Sequence, residues 1–90
     1  MRKFMIEREI PGVGRLDSCE LAQAAARSNQ ALATLAPRVQ WQQSFVTGEK
    51  TFCVYLAEDE DAIRQHAERS GFPANRITEI TGVIDPSTAM

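Results

Sequence analysis

Between Val39 and Leu56 the sequence reads VQWQQSFVTGEKTFCVYL, two runs of β-branched, aromatic and apolar residues around a polar centre. The pattern predicts a β-hairpin turning at Thr47-Gly48-Glu49-Lys50, where Gly48 is the residue suited to a positive φ. In the second run Phe52, Val54 and Leu56 alternate with Thr51, Cys53 and Tyr55. One face is therefore apolar, and the other offers a thiol, a phenol and a hydroxyl. Chemistry is expected first on that second face.

The flanking segments follow the same logic. Lys3 to Ile10 alternates, with Phe4, Ile6, Arg8 and Ile10 opposite Met5, Glu7 and Glu9, and reads as a first strand ended by Pro11-Gly12. Asp17 and Glu20 form a capping pair for a helix. Leu21, Ala24, Ala25, Ser28, Leu32 and Leu35 then make a narrow stripe of small and medium side chains suited to close packing on a sheet, and Pro37 ends the helix. A second helix enters through Glu58 to Asp61, whose charges complement the helix dipole. It presents Ile63, His66, Ala67 and Ser70 on one face and stops at Gly71 and Pro73. Arg76 to Ile84 reads as a last strand, ended by Asp85-Pro86.

The order β-α-β-β-α-β is that of the split βαβ, ferredoxin-like α+β arrangement: a four-stranded antiparallel sheet with two helices on one face. The expectation is one ferredoxin-like domain over residues 1–90, with 85–90 a short tail. Two helices cover one face of such a sheet, and the uncovered face is larger and more apolar than a monomer usually exposes. A second copy is its expected cover, giving a two-fold homodimer with sheets stacked about 10 Å apart.

Composition adds limits. Ninety residues bury only about 60 to 65 % of their unfolded surface, so the stability margin is thin and association is a common remedy. A net charge of −2 with scattered Lys and Arg argues against nucleic acid as a partner. No apolar run approaches the roughly 20 residues that span a bilayer, so no membrane partner is expected. The N-terminal MRKFMIERE lacks the apolar core of a signal peptide, and two well-separated cysteines make no disulfide framework; a cytoplasmic location with both thiols reduced is the expectation.

Each candidate for chemistry has a plainer alternative. His66, the single histidine, suits a metal ligand or an acid–base group, or else a core imidazole bonded to a backbone carbonyl. Cys53 suits a soft ligand or a small core residue, and Cys19 near a helix start suits a reactive thiol. If the first and last strands pair, Glu7 and Glu79 come within reach of one another. With Cys53, Tyr55 or His66 they would suit a divalent transition metal; otherwise they are solvated or paired with Arg8 or Arg76. No nucleophilic triad, phosphate loop or Cys-x-x-Cys is present.

The blocks Ile6-Glu7-Arg8-Glu9-Ile10-Pro11-Gly12, Trp41-Gln42-Gln43-Ser44-Phe45-Val46-Thr47, Cys53-Val54-Tyr55, Ile63-Arg64-Gln65-His66-Ala67, Gly71-Phe72-Pro73-Ala74 and Ile84-Asp85-Pro86-Ser87-Thr88-Ala89 resemble a small bacterial family of unknown function. Its best-described member is a nickel-binding protein from an actinobacterium. The resemblance spans nearly the whole chain, with Glu58 and Cys19 departing from it. It implies the ferredoxin-like fold, a dimeric α+β barrel and a divalent-metal site with nickel the named candidate.

Three functional expectations follow. The first is a cytoplasmic homodimer that binds a nickel-like metal through His66, with Glu7, Glu79 or Cys53 supplying further ligands, for storage, buffering or sensing. The second is a small-molecule binder or cofactor-independent enzyme of the monooxygenase or isomerase kind, with Trp41, Phe45, Tyr55 and His66 lining a cavity between helices and sheet. The third is an interaction module without a site.

Overall fold

Alternation in the strands and three-to-four spacing in the helices produce the expected elements in the computed structural model, which describes residues 1–89. They are β1 (Arg2–Glu9), α1 (Ser18–Ala33), β2 (Val39–Val46), β3 (Lys50–Ala57), α2 (Glu60–Ser70) and β4 (Arg76–Ile80), with short 3-10 turns at Val13–Arg15 and Pro86–Ala89. Of the expected tail, residues 85–90, the last lies outside the described range. The strands pair antiparallel in the order β2-β3-β1-β4, so the β2-β3 hairpin joins neighbours while each helical crossover skips one strand, in the split βαβ manner.

Both helix starts are built as the sequence implies. Asp17 accepts from the Glu20 amide at 2.8 Å while Glu20 accepts from the Asp17 amide at 3.1 Å, a closed capping box. Asp59 caps α2 by accepting from the Ala62 amide at 2.9 Å. Gly71 ends α2 at φ 79, a left-handed conformation that a Cβ would strain. Leu35, the last member of the predicted stripe, falls after the helix end but is still buried.

Three local expectations are corrected. The last strand ends at Ile80 rather than Ile84, because Ile80 is already opposite Lys3 and β1 begins one residue earlier, at Arg2. Past that point the edge strand has no partner, and Val83 and Ile84 are 72 % and 83 % exposed. Gly48 does not take a positive φ. The hairpin turn is closed instead by Thr47, whose amide donates to the Lys50 carbonyl at 2.9 Å and whose hydroxyl donates to the same oxygen at 2.8 Å. Finally, a bulge between Trp41 and Gln43 shifts the β2 register. Trp41 lies opposite Tyr55 and Phe45 opposite Phe52, so two residues of like parity point to opposite faces.

The helix-facing side of the sheet carries Phe4, Ile6, Val39, Cys53, Tyr55 and Ala57, which meet Ala62 and Ile63 of α2 in one core. The other face carries Met5, Phe52, Val54, Leu56 and Ile80 with Phe45 at its margin, and no helix among the described residues packs on it.

Candidate functional site

Arg8 occupies a position that the β1 alternation reserves for apolar side chains, in line with Phe4 and Ile6, and its side chain is 3 % exposed. Nη1 donates to the Pro73 carbonyl at 2.7 Å. The guanidinium carbon lies 5.8 Å from the Tyr55 ring centroid and 5.9 Å from that of Phe72, within cation–π range of both. Nη2 is buried and has no hydrogen-bond partner among the described residues, and no carboxylate forms an ion pair with Arg8 there.

Arg8 opens onto a cavity of about 270 Å³ between α1 and the sheet. The α1 stripe supplies Leu21, Ala24, Ala25 and Ser28, and the sheet supplies Trp41, Ser44, Thr51, Cys53 and Tyr55. The stripe is thus in place, but its two alanines are too short to reach the sheet, and space remains where close packing was expected. Trp41 Nε1 donates to Ser44 Oγ at 2.9 Å, so the indole is held against β2 with its polar edge satisfied. Burial pushes the Tyr55 phenol upward, and the Arg8 charge draws it partly back.

His66 sits behind this wall and is fully buried. Its Nε2 is 3.2 Å from Ser28 Oγ and 3.4 Å from the Ser28 carbonyl, and its ring lies 5.2 Å from that of Tyr55. Nδ1 has no partner among the described residues. Desolvation, reinforced by the Arg8 charge, lowers its pKa to about 4, so the imidazole is neutral at pH 7.

The remaining residues of the predicted metal set are dispersed. Glu7 projects to the open sheet face, with Lys50 Nζ at 3.8 Å and Arg76 Nε at 3.9 Å. Glu79 is opposite Phe4, on the other face, and is gripped by Arg2 through Nη2 at 2.8 Å and Nε at 3.1 Å. That hydrogen bonding holds its carboxyl below the usual range. Pairing of β1 with β4 is real, but the register sets Glu7 against Arg76, so the two carboxylates do not converge. Cys53 is buried with Sγ 3.5 Å from Thr51 Oγ1, on the cavity side. Among the described residues no group of three His, Cys, Asp or Glu is placed to hold a metal ion. The donors of a single chain therefore do not fit a closed nickel centre.

Of the predicted ligand-binding residues, the structure brings Trp41 and Tyr55 to the cavity and turns Phe45 away, the consequence of the bulge. His66 does not line the cavity; it lies against Ser28 and Tyr55, which do. Sequence reasoning missed Arg8 as the polar centre of the cavity. The signal was present: a lone arginine in the inward series Phe4, Ile6, Arg8, Ile10.

Comparison with known proteins gives a family match and a structural one. The model of the family described as "Nickel responsive protein SCO4226-like" matches residues 4–80. The crystal structure of SCO4226 from Streptomyces coelicolor A3(2) superposes with a TM-score of 0.74 at 22 % identity, covering 91 % of this chain and 99 % of that one. At that identity the likeness speaks to the fold, and it agrees with the ferredoxin-like α+β class read from the sequence. No curated protein matches the chain.

Proposed function

The chain belongs to the nickel responsive, SCO4226-like family, and on that premise we propose that it is a small homodimeric binding protein that takes a divalent metal, nickel first, where two copies meet. The family match over residues 4–80 carries the choice of metal. The dispersal of donors within one chain supports a shared site. Glu7 is the candidate on the uncovered sheet face, so a second copy seated there brings two such carboxylates into one interface. Homodimer formation is supported by Met5, Phe52, Leu56 and Phe45 on that face, and by the exposed apolar Val83 and Ile84 beyond β4. His66, sealed in the core, and Cys53, buried at the cavity wall, act structurally in this reading.

No helix among the described residues is long and apolar enough to cross a membrane. The free thiols at Cys19 and Cys53 support a reducing, cytoplasmic setting. Nickel titration calorimetry tests the metal. Wild type releases or absorbs heat on binding, Glu7→Gln weakens it, and Glu79→Gln, whose carboxylate Arg2 already occupies, leaves it unchanged. Absence of heat with the wild type ends the reading.

A second reading, favoured by the cavity beneath α1, is that the protein binds a small organic molecule. The space is walled mainly by apolar side chains with a few convergent polar groups, which is the make-up of a binding pocket.

A further inference from the structure

We infer that the cavity between α1 and the sheet binds a small organic monocarboxylate, an apolar body with one acid group that closes on Arg8. The inference rests on the small-molecule reading above and adds the chemical class of the ligand.

Arginine is always charged, and an ionised group taken out of water needs a partner. Among the described residues Arg8 has one neutral hydrogen-bond partner, the Pro73 carbonyl, and two aromatic faces, but no anion. Its Nη2 is buried with unused donors among the described residues, and Arg8 itself helps line the cavity. An anion arriving there gains a charge-assisted hydrogen bond and relieves a buried unpaired charge in the same step. Ser28 and Tyr55 bring hydroxyl groups to the same lining, donors for a second acid oxygen.

Charge count and walls narrow the class. Arg8 is the one charged residue in the lining. A single negative charge is neutralised there, whereas a phosphate monoester would carry excess charge into an apolar space. Val13, Leu16, Leu21 and Trp41 offer apolar surface to the rest of the ligand. The volume, about 270 Å³, lies just below the ~300 to 1,000 Å³ of pockets for drug-sized molecules, which suits a small acid.

The experiment is a titration followed by fluorescence of Trp41, the single tryptophan and a wall of the cavity. Phenylacetate and octanoate are the acid probes, their neutral amides are the controls, and benzyl phosphate is the doubly charged probe. The expected result is saturable binding of at least one acid, with its amide weaker by about tenfold or more. Arg8→Gln is expected to lose that difference while keeping amide binding, an outcome that general loosening of the fold would not give. Ala25→Phe takes up cavity space while leaving residue 8 as arginine and is expected to abolish both, so the test stands even if Arg8→Gln does not fold. Equal affinity of acid and amide in the wild type overturns the acid and leaves the small-molecule reading standing. Failure of every probe to bind, or binding unchanged in Ala25→Phe, overturns both. Tighter binding of benzyl phosphate than of phenylacetate overturns the single-charge assignment.

Discussion

The rings of His66 and Tyr55 lie 5.2 Å apart at 50°, and the imidazole has no access to water. This histidine folds as a neutral group. Its pKa falls from 6.5 in an unconstrained chain to about 4 in the fold, first through desolvation and then through the Arg8 charge. Between these values the unfolded chain holds the extra proton, so stability is fully present above pH 6.5 and is lost as pH falls toward 4. The loss reaches about 3 kcal/mol at the bottom of that window. Urea unfolding of wild type and His66→Gln at several pH values checks it. The difference between the two proteins shrinks as pH falls from 6.5 to 4, and a pH-independent difference would count against a buried neutral imidazole.

Lys3 and Leu56 are register partners on the open sheet face. A glutamate at position 56 finds an ion-pair partner in Lys3 within one chain, but in a face-to-face dimer it is buried among apolar groups. Leu56→Glu is therefore expected to keep its far-ultraviolet circular dichroism and to sediment as a monomer where the wild type sediments as a dimer. A monomeric wild type at tens of micromolar would remove the homodimer from the proposal.

The helix ends give two independent stability tests. Asp17→Ala removes half of the capping box on α1 and is expected to cost about 1 kcal/mol. Gly71→Ala places a Cβ on backbone at φ 79 and costs about 1 kcal/mol or more, although the nearest side-chain atom, on Arg27, is 3.8 Å away. In a domain of this size each corresponds to a fall of about 4 to 8 °C in Tm. A Gly71→Ala protein as stable as wild type would mean that α2 does not end in the left-handed turn.

Much of the fold was legible because each signal was local. The Asp17–Glu20 box, the Gly71 stop and the alternation of Phe52, Val54 and Leu56 act within a few residues of where they are written. What escaped depends on distant partners. The end of β4 is set by where β1 begins, not by the apolar Val83 and Ile84 that extend the pattern. The separation of Trp41 from Phe45 depends on a bulge against β3, which parity along β2 alone does not reveal. For the site, residue type offered His66 either as a metal ligand or as a core imidazole near a backbone carbonyl, and the structure buries it with Nε2 3.4 Å from the Ser28 carbonyl; the carboxylate pair also offered is kept apart by the β1–β4 register. Arg8 was visible as a charge among inward apolar positions. Its significance came only with Ala24 and Ala25 of α1, which leave the space it faces.

In the proposed site, nickel needs two copies of the chain. Native mass spectrometry of wild type and Leu56→Glu, each mixed with nickel after exhaustive chelation, addresses that directly. Nickel on the wild-type dimer and none retained by the monomeric variant is the expected result; a monomer carrying nickel as tightly as the dimer would rule out the shared site.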